Sequence, residues 1–122
     1  MSMTTHRQAA ELRGHRAERR AALLLRLKGF RLLARRYRSP VGEIDIVARR
    51  ARLLVAVEVK ARGDLDIAAH AIDKRQQMRI ARATDHFLAA NPSYADCQVR
   101  FDAVLVAPGK LPRHIPDAWR IE

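Results

Sequence analysis

Apolar residues along this chain recur with two different periods, and the switches between them predict helix, three strands, helix, strand. Residues 9–28 carry Leu12, Ala21, Leu24 and Leu25 at helical spacing and end at Gly29, a plausible C-cap. "FRLLARRYR" (30–38) reads as a strand and "SPVG" (39–42) as a turn. "EIDIVA" (43–48) and "RLLVAVEVKA" (52–61) read as the next two strands, joined by a hairpin near residues 49–51. "RGDLD" (62–66) is a polar loop. Residues 73–90 form the second helix, with Asp73 as N-cap and Asn91-Pro92 as the stop. "QVRFDAVLVA" (98–107) is the fourth strand, and the proline-rich tail is a short edge strand or an irregular cover. The first three strands can meander, while the fourth returns across a helix and is expected parallel to its neighbour.

The stretch "VAVEVKAR" (55–62) breaks an otherwise apolar pattern. Val55, Val57 and Val59 occupy one face of the pleat, and Leu54, Ala56, Glu58 and Lys60 the other. The strand is apolar on both faces until Glu58, so a carboxylate and an ammonium arrive where burial makes them costly. On the preceding strand Glu43, Asp45 and Val47 share a face, opposite Ile44 and Ile46. Residues opposite one another in an antiparallel pair point the same way. An even-length hairpin loop pairs odd numbers with even ones, and Glu43, Asp45, Glu58 and Lys60 then converge. An odd loop separates them.

Carboxylates gathered in a partly dry place repel one another and need a counter-charge. Lys60 supplies one. Oxygen ligands without Cys or His suit Mg²⁺ or Mn²⁺, and the chemistry that follows is phosphodiester hydrolysis. Two more polar residues fall on inward helical stripes. Glu18 lies with Gly14, Ala21 and Leu25 and has no Arg at the spacing that would pair it within its helix. Gln76 lies with Ile72, Ile80, Ala83 and Phe87, and divides between a capping role with Asp73 and a role in the site.

Composition narrows the partner. With 122 residues, 48% of them hydrophobic, the expectation is one domain spanning 1–122, its first few residues disordered. The net charge is +11, and residues 1–38 hold eleven basic and two acidic residues, or +9 of it. Twenty of the 24 basic residues are Arg, which suits bidentate contact with phosphate. A polyanion is therefore expected, most simply nucleic acid, with a solvated helix face as the bland alternative. One cysteine, Cys97, excludes a disulfide framework and fits a reduced cytoplasm. No apolar run approaches the ~20 residues of a membrane span. The five histidines are scattered and read as incidental. Tyr37, beside Arg35, Arg36 and Arg38, could touch a nucleic acid, whereas Phe30, Phe87, Phe101 and Trp119 read as core.

"GEIDIVA", "VEVKAR" and "RFDAVLV", preceded by Gly14-x-x-x-Glu18-x-x-Ala21 and Gly29-Phe30, strongly resemble the small bacterial YraN family, grouped with the PD-(D/E)XK nuclease superfamily. The match runs from about Gly14 to Trp119. It implies an α/β fold with a restriction-endonuclease-like αβββαβ core, a mixed sheet flanked by helices. It also implies Asp45 and Glu58 as metal-binding carboxylates, Lys60 as the catalytic lysine and Glu18 as a helical acid completing the site. Glu43 is then a neighbour, and Gln76 and Asp102 are candidate supports. Asp102 can equally form a strand ion pair around Arg100. The chain departs from the family pattern in having Gln76-Gln77 where Lys-Gln is usual, and Arg36 where Asn usually precedes Tyr-Arg.

Two functions of different classes follow. The first is a Mg²⁺- or Mn²⁺-dependent endonuclease acting on nucleic acid, DNA more than RNA, branched or damaged, with Arg35, Arg36, Arg38 and Arg62 on the backbone. The alternative is a catalytically weak or inactive nucleic-acid-binding accessory protein of the same fold. Attachment to an anionic membrane surface through the basic helix is a third and weaker reading. Related resolvases imply a homodimer, for which no interface is marked here.

Overall fold

The computed structural model describes the backbone of residues 3–61 and 72–121 and the side chains of residues 14–61 and 72–121. Helix α1 (Met3–Leu27) begins six residues before the periodic pattern does. It stops where the chain demands. The amides of Gly29 and Phe30 bond back to the carbonyls of Arg26 and Leu25, both at 3.0 Å. This Schellman closure needs a left-handed residue, and Gly29 supplies it with φ +90°. Phe30 then folds onto Leu25 in the same apolar cluster.

Strands β1 (Arg31–Ser39), β2 (Gly42–Arg50) and β3 (Leu53–Ala61) form the antiparallel meander. Helix α2 (Lys74–Ala90) and one 3-10 turn (Pro92–Tyr94) lead to β4 (Gln98–Val106), parallel to β3. Strand β5 (Arg113–Trp119) closes the edge antiparallel to β4, with Pro116 where no neighbour needs its missing donor. The five strands lie in the order 1-2-3-4-5. This is the mixed α/β sheet of the αβββαβ order expected from the pattern, with β5 taking the edge-strand option. The polar loop at 62–66, Arg62 and His70 lie outside the described residues.

Each helix covers one face. Ala17, Ala21, Ala22 and Leu25 of α1 pack on Ile46, Ala48, Val55 and Val57, their small side chains letting the helix lie close to the sheet. Ile80, Ala83 and Phe87 of α2 pack on Val47, Leu54 and Ala56. The β3 faces are those read from its alternation. On β2 the alternation fails at one point: Ile44 packs with Val47 on the α2 side rather than with Ile46. Across the ladder, between the pairs Arg35–Ile46 and Tyr37–Ile44, Arg36 of β1 takes a left-handed φ of 53°. A left-handed residue breaks the pleat, so the neighbours on either side of it no longer alternate.

Candidate active site

The turn between β2 and β3 has two residues, Ala51 and Arg52, and Arg50 pairs with Leu53. Its even length puts Asp45 and Glu58 on facing positions, as the parity of the loop requires. The β2–β3 ladder ends at Ile46 and Val57, one residue short of them. Beyond that point the Asp45 carboxylate replaces a ladder bond, accepting from the Val59 amide at 2.8 Å. The acid is thereby fixed by the backbone of the strand that carries Glu58 and Lys60.

Glu58 is 7% exposed. Its Oε1 accepts from Gln76 Nε2 at 2.8 Å and lies 3.5 Å from Lys60 Nζ. Lys60 Nζ in turn donates to Gln76 Oε1 at 3.3 Å. Gln76 thus serves the site with its side chain and the helix start with its backbone, since its amide donates to Asp73 Oδ1 at 2.8 Å. Asp73 is the N-cap, and Gln76 makes both the capping contact and the contacts to Glu58 and Lys60.

Burial, then the neighbouring Asp45 charge, push Glu58 up to about 8, against the weaker opposing pull of Lys60. Burial also raises Asp45, although the Val59 amide and Glu58 hydrogen bonds and the Lys60 charge oppose it. The two carboxylates behave as one coupled acid pair short of positive charge. Two cavities meet at Asp45. One, of about 280 Å³, is lined by Glu43, Asp45, Glu58, Gln76, Arg75 and Arg79. The other, of about 520 Å³, lies on the α1 side and is lined by Asp45, Glu43, Glu18, Arg36 and Arg38 among others.

Glu18 therefore borders the same acid, but it is not unpaired. Arg36 Nε donates to its Oε2 at 2.7 Å, and Arg35 Nε lies 3.9 Å from Oε1. Spacing along α1 could not reveal partners that come from β1. Burial and the Asp45 charge still raise Glu18, with Arg35 opposing. Arg35 and Arg36, expected on a nucleic-acid backbone, are thus both beside Glu18 while their side chains stay exposed. Arg38 and Glu43 are exposed and 3.9 Å apart. Tyr37 packs edge-on against Phe87, and its hydroxyl meets His86 Nδ1 at 2.6 Å.

Asp102 lines neither cavity. It is fully buried and bound by Arg100 Nε and Nη2 at 2.8 Å each, by His114 Nε2 at 2.8 Å and by the Asp117 amide at 3.0 Å. Of its two readings, the ion pair with Arg100 is the one the geometry displays. His114 is accordingly no incidental surface residue: its other ring nitrogen lies 2.8 Å from Lys28 Nζ.

Pattern reading missed Arg75 and Arg79. They stand one residue before and three after Gln76, so a helical wheel drawn around Gln76 would have placed them on the cavity's edge. It also missed why Gly42 is required: a Cβ there would lie 2.4 Å from the Arg79 carbonyl oxygen.

Residues 17–106, from α1 to the end of β4, match the model of the uncharacterised protein family UPF0102. The chain belongs to UPF0102. A UPF0102 protein of Parvibaculum lavamentivorans (strain DS-1) is 56% identical over 112 residues, covering 92% of this chain and 84% of its own. One from Rhodopseudomonas palustris (strain HaA2) is 53% identical over 124 residues, covering 98% and 97%. Another, from Paramagnetospirillum magneticum (strain AMB-1), is 55% identical over 119 residues, covering 94% and 92%. The UPF0102 match spans Glu18, Asp45, Glu58, Lys60 and Gln76 and stops before His114. No described helix is long and apolar enough to cross a membrane.

Proposed function

We propose that the protein is a metal-dependent nuclease that hydrolyses phosphodiester bonds of nucleic acid, DNA in preference to RNA. The observation that carries this is the Asp45–Glu58–Lys60 arrangement at the point where the β2–β3 ladder ends. Two desolvated carboxylates face one ammonium, and the local charge does not balance. A hard divalent cation would balance it, and the donor set fits one. Among the described residues no three His, Cys, Asp or Glu side chains gather into a cage. One or two carboxylates completed by water and substrate phosphate is the way Mg²⁺ is usually held, with Mn²⁺ tolerating the same oxygens.

When bound, such an ion supplies Lewis-acid polarisation of the phosphate and a more acidic water. The protein's own groups do the rest. Asp45, tied to the Val59 amide, holds a fixed position while Glu58 is oriented by Gln76. Lys60, steered by Gln76 Oε1, is free to donate to an attacking water or to the oxyanion charge that grows on phosphorus's oxygens. Glu18 keeps Arg36 beside Asp45, where a guanidinium can meet a phosphate oxygen.

A nucleic-acid-binding accessory role has one observation in its favour. Gln76 joins Glu58 and Lys60 into a closed hydrogen-bonded triangle that is satisfied without any ligand. Cleavage of labelled linear, four-way-junction and RNA substrates with Mg²⁺ or Mn²⁺ separates the two. The nuclease reading expects metal-dependent products that vanish in Glu58→Ala and Lys60→Ala, with binding retained. Binding without products from any substrate would establish the accessory role instead.

A further inference from the structure

Arg35 and Arg36 lie beside Glu18 and Arg38 beside Glu43, so the exposed cations at the carboxylates that have no acidic partner among the described residues are on α2. Arg75 and Arg79 line the cavity of Asp45 and Glu58, and Arg82 continues their row. At about 100° per residue, positions 75, 79, 82 and 86 fall within roughly 60° of one another on the helix. All four are exposed, and none of the three arginines makes an ion pair among the described residues. The row flanks the buried face of Ile80, Ala83 and Phe87 rather than opposing it.

The placement of these charges is locally unfavourable. The first turn of α2 carries no acid and the last turn no base, the reverse of what the helix dipole prefers. Like charges four apart repel as well. Neither local helix stability nor an ion pair among the described residues accounts for three arginines there. Their position is also fixed: Gly42 presses against the Arg79 carbonyl, so α2 sits against β2 with no room for a side chain between.

We infer that Arg75, Arg79 and Arg82 form a phosphate track that leads one strand of nucleic acid away from the Asp45–Glu58 pair along α2. This deepens the nuclease reading and rests on it. From position 75 to 82 the row spans about 10 Å at ~1.5 Å per residue, as a single line of charge. That length matches two or three consecutive phosphates of one strand, and a single line of charge follows one backbone rather than two. The preferred ligand is therefore a single-stranded segment, as found at a junction, flap or gap, whose backbone enters the site from α2.

The test is binding of a labelled single-stranded oligonucleotide to the full chain in chelator, measured across salt concentrations. Removing three phosphate contacts lowers the log–log salt slope by about 2 and weakens binding at least ~10-fold near 0.1 M salt. The variant carrying Arg75→Gln, Arg79→Gln and Arg82→Gln is expected to show that loss, and Arg113→Gln on β5 is expected not to. Arg→Lys at the same three positions is expected to keep the slope, which separates charge from misfolding. The Gln variant should melt no lower than wild type, because the charges removed oppose the helix dipole. A loss no greater than that of Arg113→Gln overturns the track and leaves the nuclease reading standing. Failure of the wild type to bind any nucleic acid overturns both.

Discussion

Asp45 and Asp102 use the same local device and end with opposite electrostatics. Each stands at a break in a ladder and accepts a backbone amide, Val59 for Asp45 and Asp117 for Asp102. Around Asp102, burial alone would raise the acid. The hydrogen bonds from Arg100, His114 and the Asp117 amide outweigh it and hold the carboxyl at about 2. Around Asp45 a second carboxylate, Glu58, stands where Asp102 has cations, and both acids are raised, Glu58 to about 8. The buried Asp102 is fully paired within the chain, whereas the half-buried Asp45 shares its surroundings with a second acid. A perturbed acid short of counter-charge in a cleft marks a functional site, whereas a perturbed acid fully paired marks a joint in the fold.

The largest expected effect of breaking this contrast is at Asp102. Asp102→Ala leaves Arg100 and the buried His114 without their shared anion and frees the Asp117 amide. Urea unfolding should show a loss of about 3–5 kcal/mol, the usual cost of removing one partner from a buried ion pair. Glu58→Gln should do the opposite in metal-free protein, keeping the Gln76 contact while removing a charge the site cannot neutralise. A loss of stability at Glu58 as large as that at Asp102 would refute the distinction.

The pH dependence sharpens the same contrast. Glu58 has a folded-state value above its unfolded one, so the folded state binds more protons between about pH 4.5 and 8. Stability of metal-free protein should fall as pH rises through that window, by a few kcal/mol, since each tenfold difference in proton affinity is worth ~1.4 kcal/mol. Asp102 is lowered, so the stability it contributes, about 2 kcal/mol, is present above its ordinary range and lost as pH falls from ~4 towards ~2. Thermal melts from pH 3 to 9 should therefore show an alkaline decline that Glu58→Gln removes. Mg²⁺ should restore the melting temperature at pH 8 and do little at pH 5. An alkaline limb unchanged in Glu58→Gln would count against the charge imbalance.

Gly42→Ala tests how the imbalance is held in place. The added methyl meets the Arg79 carbonyl, a backbone group that cannot swing aside. A cost of about 1–3 kcal/mol is expected from overpacking, with α2 displaced from β2. Because Gln76 rides on the same turn, the variant should also lose Mg²⁺-induced stabilisation, whereas Val41→Ala in the adjacent exposed position should not.

What could be read from the chain in advance was whatever follows from a fixed period. The pleat has period two, so the parity of a hairpin loop sufficed to bring Asp45 opposite Glu58. The stop at Gly29 and the cap at Asp73 are likewise local rules. What could not be read was anything supplied by another element. Glu18 finds its arginines on β1, and Asp102 gathers His114 from β5. Ile44 leaves the face of Ile46 at the point where β1, across the ladder, carries the left-handed Arg36. Helix spacing and strand alternation carry no information about such partners, which is why Glu18 looked unpaired and His114 incidental.

The smallest effect, and the one that joins the two themes, is expected at Arg36. A left-handed arginine costs backbone energy that an asparagine largely avoids, since its short polar side chain tolerates that region. Arg36→Asn gains there and loses the ion pair to Glu18. With the Arg36 side chain 39% exposed, that pair is worth at most about 1 kcal/mol. The two terms nearly cancel, so the melting temperature of metal-free protein should move by only a degree or two. Arg36→Ala loses the pair without gaining a residue suited to the left-handed region, and should melt lower than Arg36→Asn. The charge balance beside Asp45 nevertheless changes in both, because Glu18 is left facing Asp45 with only Arg35, 3.9 Å away, to offset it. Mg²⁺ should therefore stabilise either variant more than it stabilises the wild type. Equal Mg²⁺ responses in all three would mean that Glu18 and Asp45 do not share one electrostatic site.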